Sequence, residues 1–186
     1  MLAATMMLMG AQAFAQTAVN AGYLNSTFTS KDYYNHFKNS DDMNGFYAGA
    51  SRNIPMVAGV GVEPGVNLEM LFGSKYNTTE AYLQVPVMFN YGIELMPDCR
   101  LFAFAGPTLS LGLISSVKSK NGTSQNIYKH DEAYSRFDVM LGGGIGFDIN
   151  RIRIKVGYNA GMLDRDLSRD ITRHRSEITL GAAFLF

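Results

Sequence analysis

The sequence predicts an all-β chain, an eight-stranded antiparallel transmembrane β-barrel of up-and-down topology. Three observations predict it. Apolar side chains recur at every second residue in eight separate segments, which gives an extended strand one oily and one wet face. The links between the segments alternate between short and long. Charged residues fall on the wet faces with both signs in balance, 16 Lys and Arg against 16 Asp and Glu.

The elements follow in order. Residues 1–15, MLAATMMLMGAQAFA, carry no charge, hold an apolar run from Leu2 to Met9 and end in Ala13-Phe14-Ala15, the small-x-small pattern of a secretory signal peptide cut before Gln16. A cut after Ala13 fits nearly as well. The lack of Lys or Arg ahead of the apolar run implies a start upstream of Met1. The stretch falls short of the roughly 20 apolar residues of a spanning helix, so residues 16–186 form the barrel domain.

Strands are expected at 18–26, 45–55, 62–72, 82–95, 100–114, 137–149, 151–162 and 177–186. The third sets Val62, Val66, Leu68, Met70 and Phe72 against Glu63, Gly65, Asn67 and Glu69; the fourth sets Leu83 to Leu95 against Tyr82, Gln84, Asn90 and Glu94. The fifth is apolar on both faces, so its orientation stays open. In the sixth, Phe137, Val139, Leu141, Ile145 and Phe147 oppose Arg136, Asp138 and Asp148. In the seventh, Ile152, Ile154 and Val156 oppose Arg151, Arg153 and Lys155. Only Asn150-Arg151 separates these two, which marks a hairpin with a two-residue turn. The eighth sets Ile178, Leu180, Ala182, Phe184 and Phe186 against Glu177, Thr179 and Gly181.

Short links follow the second, fourth and sixth strands. Long polar ones, at 27–44, 115–134 and 163–175, follow the first, fifth and seventh. A membrane barrel has this asymmetry, with short periplasmic turns and longer outer loops, and closure leaves no unpaired edge in lipid. The oily faces then point outward, and Glu69, Glu94, Arg136, Asp138, Arg151, Arg153, Lys155 and Glu177 form a lumen charge network. The competing fold is a secreted lipocalin-like carrier with its oily faces inward around an apolar ligand. The absence of Trp counts against it, because lipocalins carry a Gly-x-Trp on their first strand.

Composition excludes other classes. A net charge of zero gives phosphate backbones nothing to grip, so no nucleic-acid partner is expected. One Cys allows no disulfide framework. His36, His130 and His174 are scattered over three links, and neither metal nor cofactor is implied. Gly142-Gly-Gly-Ile-Gly146 lacks the third Gly and the following helix of a dinucleotide loop; its glycines are read as relieving crowding at a bend or against a bulky neighbour across the barrel.

Several segments together resemble the PorT-like outer-membrane β-barrel family: Gly45-Phe-Tyr-Ala-Gly-Ala50, Val62-Glu-Pro-Gly-Val-Asn-Leu-Glu-Met-Leu71, Tyr82-Leu-Gln-Val-Pro-Val87, Ala103-Phe-Ala-Gly-Pro107, Phe137-Asp-Val-Met-Leu-Gly-Gly-Gly-Ile-Gly146 and Val156-Gly-Tyr-Asn-Ala-Gly161. Thr179, Gly181, Phe184 and the terminal Phe186 are similar to the signal read by the barrel-assembly machinery. The resemblance implies the outer membrane of a Gram-negative bacterium, both termini periplasmic, in contact with outer-membrane lipid and lipopolysaccharide.

An eight-stranded barrel is narrow enough for side chains to fill it, which places function at the loops. Tyr33, Tyr34 and Phe37 beside Asp41 and Asp42 are candidates for an unknown protein or surface ligand; the plainer account is a solvated loop. Arg165, Arg169, Arg173 and Arg175 are candidates for lipopolysaccharide phosphates, although the alternating signs from Asp164 to Arg175 also allow self-pairing. A structural or surface-binding role without enzyme activity is the expectation. A lipid A-modifying hydrolase is the further alternative, because His174-x-Ser176 resembles a deacylase pair; Glu177, however, faces the other way and the Asn that follows Ser in deacylases is missing.

Overall fold

A computed structural model describes residues 16–32, 38–57, 59–73, 78–118, 124–126, 136–163 and 171–186. The strands are β1 (Gln16–Asp32), β2 (Lys38–Pro55), β3 (Val60–Gly73), β4 (Thr78–Met96), β5 (Cys99–Lys118), β6 (Ser124–Asn126), β7 (Phe137–Ile149), β8 (Ile152–Gly161) and β9 (Ile171–Leu185). Every pairing is antiparallel. The order β4-β3-β2-β1-β9-β8-β7-β5 is closed by β4 against β5, which leaves an eight-stranded ring without an edge. The three-residue β6 pairs only with Ser116–Lys118 and stands outside the ring.

Closure removes the unpaired amides that hydrocarbon cannot satisfy. The proline positions fit that constraint. The β3–β4 ladder lapses between Pro64↔Val87 and Asn67↔Gln84, and the β4–β5 ladder lapses between Pro86↔Thr108 and Phe89↔Ala105. Residues without an N–H thus stand beside gaps in the pairing.

Short links gather at one end of the cylinder, with Gln16 and Phe186, and long links at the other; we call these the turn end and the loop end. Asp98 and Asn150 take positive φ, 64° and 52°, in the two-residue links after β4 and β7. Asp and Asn tolerate that region better than other side chains. The Asn150 N–H donates to Asp98 O at 2.8 Å and ties the two turns together.

The predicted orientation holds. Ile152, Ile154 and Val156 are 56%, 46% and 46% exposed, whereas Arg153 between them is 1% exposed. The oily faces coat the outside, which removes the lipocalin-like alternative. Phe184 and Phe186 stack edge to face at 5.0 Å at the turn end, and Tyr23 meets Phe46 edge-on at 6.1 Å nearer the loop end. Aromatic rings at such positions suit a membrane interface.

The expected strand limits are corrected at the loop end, and the open orientation of the fifth strand is resolved. β1, β2 and β9 run farther toward the loop end than alternation indicated, so residues 27–32, 38–44 and 171–175 are strand rather than link. The outward residues of these extensions, among them Thr27, Asp42 and Asn44, are polar. Apolar periodicity therefore marks the height of the oily band and not the length of the strand. The fifth strand resolves with Phe102, Thr108 and Ser110 buried and Leu101, Leu109 and Leu111 exposed. Its phase switches at a bulge, where Tyr82 pairs with Gly112 and Ala81 with Ile114; Leu113 and Ile114 both face out and Ser115 turns in.

Candidate functional site

The interior of the cylinder carries the chemistry, in two ion-paired clusters, the one nearer the loop end ringed by an apolar collar. At the loop end the collar is Leu24, Phe28, Met43, Leu71 and Tyr82, with Tyr47 packed against it. Packed among these residues is Arg175, 1% exposed, its backbone paired with Phe28. Its Nη2 donates to Glu69 Oε2 at 2.8 Å and to Glu177 Oε2 at 2.6 Å, and its Nε donates to Ser26 Oγ at 2.8 Å. The guanidinium lies 4.4 Å from the Tyr82 ring centroid. Glu177 Oε1 accepts from Asn159 Nδ2 at 2.7 Å and Gln84 Nε2 at 3.4 Å. Two carboxylates share one cation here, and neutral amides supply the remaining donors.

Toward the turn end the balance reverses. Arg153 grips Asp148 with both arms, Nε to Oδ1 at 2.6 Å and Nη2 to Oδ2 at 2.8 Å, and its Nη1 donates to Glu63 Oε2 at 2.8 Å. Lys155 Nζ donates to Glu63 Oε1 at 2.9 Å, as does Ser51 Oγ at 2.8 Å. Arg100 approaches Asp148 at 3.8 Å and donates to Asn90 Oδ1 at 2.9 Å. Three cations meet two carboxylates.

Glycines make this packing possible. Gly146 pairs with Phe102 across β7 and β5, and a Cβ there would lie 2.2 Å from that ring. The ring lies flat over the bare backbone and offers its face to Arg153, whose guanidinium carbon is 4.7 Å from the centroid. Gly144 makes the same room for Phe104 beneath Lys155, so this glycine run relieves crowding against rings of the adjacent strand β5 rather than at a bend or across the barrel. At Gly181 a Cβ would stand 1.8 Å from Tyr47 Oη.

Of the predicted network, Glu69, Asp138, Arg153 and Glu177 are buried inside and Lys155 is partly buried there. Glu94, Arg136 and Arg151 are exposed. Their parity is right, but Glu94 and Arg151 sit at the turn end and Arg136 at the start of β7, beyond the height at which the cylinder encloses a side chain. Arg175, Glu63, Asp148 and Arg100 belong to the clusters and were missing from the prediction. Glu63 and Asp148 lay on recognised wet faces. Arg175 is not available to lipopolysaccharide, as its place in a link suggested, because it is buried and paired with Glu69 and Glu177; it shares the parity of Glu177 and Thr179, a signal hidden by assigning it to a link.

Thr179 and Gly181 face inward, and Phe184 and Phe186 face outward. Tyr33, Tyr34, Phe37, Arg165 and Arg169 lie outside the described residues, and Arg173 is described only as backbone of β9. His174 is exposed on the outer face with Ser176 beside it on the same side, while Glu177 is directed inward and held by Arg175.

A sealed cylinder that is greasy outside and ion-paired within defines an integral β-barrel membrane protein. The chain belongs to the outer membrane protein beta-barrel domain family, whose sequence model matches residues 1–184. No curated protein matches it by sequence. Among solved structures it is similar in fold to Ail, the attachment invasion locus protein of Yersinia pestis. That match has 15% identity and a TM-score of 0.54, and covers 92% of this chain and 99% of the other. Neisserial surface protein A gives 14% identity and a TM-score of 0.53 over 91% and 97% of the chains. The outer membrane enzyme PagL gives 12% and 0.53 over 87% and 98%. The protein is an eight-stranded outer-membrane barrel whose lumen is filled by its own side chains.

Proposed function

We propose that this barrel is a non-enzymatic structural and surface-binding protein of a Gram-negative outer membrane, of the PorT-like kind, with its turn end and both termini in the periplasm. The observation that carries the reading is the filled lumen: with Arg175 and Arg153 each locked to two carboxylates, the interior is committed to holding the wall together, and contact with other molecules falls to the loop end. Residues 1–15 serve as the export signal, and Thr179, Gly181, Phe184 and Phe186 as the mark read by the assembly machinery. Tyr33, Tyr34 and Phe37 are assigned to a protein or surface ligand, and Arg165, Arg169 and Arg173 to lipopolysaccharide phosphates.

The test is protease treatment of intact cells making the full chain, with heat-shifted gel migration as the measure of folding. Cleavage confined to the links after β1, β3, β5 and β8 supports the orientation; cleavage at the 97–98 or 150–151 turn reverses it. Binding of lipopolysaccharide that survives combined replacement of Arg165, Arg169 and Arg173 by Gln would remove those residues from the proposal. A hydrolase reading is disfavoured because Glu177, the acid nearest His174 and Ser176 in sequence, is engaged inside by Arg175, Asn159 and Gln84.

A further inference from the structure

Across the oily band of the described strands, one charged side chain points outward. Arg52 of β2 is exposed on that face between Ala50 and Ile54, with the apolar Met56 and Val57 beyond it toward the turn end. The carboxylates of the neighbouring strand β3, Glu63 and Glu69, point the other way, into the lumen. A charge at membrane depth is unfavourable unless its head reaches a polar partner, and an arginine near the rim reaches one by extending along the wall to the headgroup layer. The anion of that layer is a phosphate, which a guanidinium grips with paired charge-assisted hydrogen bonds. Thr17 of β1 stands directly opposite Arg52 in the register and is exposed on the same face, where its hydroxyl adds a donor.

The wall above Arg52 is shaped for the rest of a lipid. Along β2 the outward face continues with Ala50 and Ala48, which are paired with Val66 and Leu68 of β3 and with Val19 and Ala21 of β1. Ala21 and Ala48 floor an apolar groove of about 670 Å³, walled by Leu68 and Met70 and capped by Tyr23 and Phe46, whose rings meet edge to face. A groove of that volume lies within the range of about 300–1,000 Å³ that holds small ligands. From Arg52 to Ala48 the strand advances about 13 Å, or about 10 Å of depth at the usual barrel tilt. The apolar band of a barrel is about 25 Å tall, so this distance is close to the share of one leaflet. A phosphate at Arg52 and an acyl chain ending in the groove fit one lipid molecule.

We infer that Arg52, Thr17 and the groove over Ala21 and Ala48 form a binding site for one glycerophospholipid, its phosphate held by Arg52 and one acyl chain laid along β2 beneath Tyr23 and Phe46. With the turn end in the periplasm, an orientation that rests on the proposed function, this lipid belongs to the periplasmic leaflet. Lipopolysaccharide carries its phosphates at the opposite rim and does not compete for the site.

The experiment folds the full chain in a phosphate-free nonionic detergent and adds dioleoylphosphatidylethanolamine or uncharged dioleoylglycerol, with native mass spectrometry counting the lipid retained and heat-shifted gel migration reporting folding. One phosphatidylethanolamine per barrel is expected, displaced neither by lipopolysaccharide nor by excess inorganic phosphate, and dioleoylglycerol should not be retained. Arg52→Gln should lower the retained fraction about tenfold, the worth of a hydrogen bond to a charged group, while Arg52→Lys, which keeps the charge, should preserve most of it. Ala48→Leu fills the groove, should also release the lipid, and carries the test alone if Arg52→Gln fails to fold. Retention in Arg52→Gln or Ala48→Leu equal to wild type, equal retention of dioleoylglycerol, or displacement by lipopolysaccharide or inorganic phosphate overturns the proposal. Because binding is read in detergent, it does not depend on which end of the barrel faces the periplasm, and its failure is distinct from a reversed orientation found by protease.

Discussion

The two ion clusters are built from the same side chains in opposite proportion. Around Arg175 two carboxylates share one guanidinium, and both partners are almost completely buried. Around Arg153 three cations surround Glu63 and Asp148, and Lys155 and Arg100 keep about a fifth of their accessibility. In each cluster the charge in the minority is the one that all the others depend on. The vulnerable residue should therefore be a cation at the loop end and a carboxylate toward the turn end.

The largest expected effect is at Arg175. Arg175→Met leaves Glu69 and Glu177 buried beside each other with no cation, and breaking a buried pair this way costs about 3–5 kcal/mol. Urea unfolding of the barrel in lipid vesicles measures it. A loss smaller than that of any turn-end variant would break the comparison.

Glu63→Gln comes second. It strips Lys155 of its ion-pair partner among the described residues and Arg153 of one of two, but Asp148 still holds Arg153 with both arms. Solvent reaching Lys155 softens the penalty further, and about 2–3 kcal/mol is expected, below the range for a fully isolated buried charge. The reverse order, Glu63→Gln costing more than Arg175→Met, would mean that solvation rather than the minority charge governs the lumen.

Glu69→Gln sharpens the comparison from the other side. It removes a majority charge, leaves Arg175 paired one-to-one with Glu177, and keeps an amide oxygen to accept from Nη2. The change should stay within about 1 kcal/mol of wild type, because the lost attraction is offset by relief of repulsion between two buried carboxylates. In a double-mutant cycle, adding Glu69→Gln to Arg175→Met should recover part of the stability lost in the single variant.

What the sequence reveals of this arrangement follows from where solvent changes. Across the oily band, lipid outside and polar lumen inside impose a strict two-residue period, and Ile152 to Val156 can be read directly. Above the band the outer face turns polar while the inner face mixes Phe28 and Met43 with Arg175, the period disappears, and Arg175 is indistinguishable from the charged run before it even though its backbone is already paired with Phe28. In β5 the inward face itself turns apolar, because Phe102 and Phe104 serve as platforms for Arg153 and Lys155. An oily inner face hides the phase, and the bulge at Gly112 shifts it. Partner choice within the lumen is illegible for another reason: Glu63 meets Arg153 from a strand on a different part of the ring, and no local pattern records that encounter.

The smallest effects belong to the charges that parity placed inside and the fold leaves exposed. Glu94 is opposite Arg100 in the β4–β5 register and Arg151 occupies the turn before β8, where its carbonyl accepts from the Leu185 N–H at 2.8 Å. Because that bond uses backbone, Arg151→Gln keeps it. Solvent screens both side chains, and exposed substitutions remote from caps and cores shift stability by about 0.5 kcal/mol or less. Urea midpoints of Glu94→Gln and Arg151→Gln close to wild type, beside a clear loss in Glu63→Gln, would place the lower boundary of the coupled network between Arg100 and the turn. A loss in Glu94→Gln equal to that of Glu63→Gln would instead carry the network through Arg100 to the turn-end rim, and the two clusters would then differ in extent as well as in charge ratio.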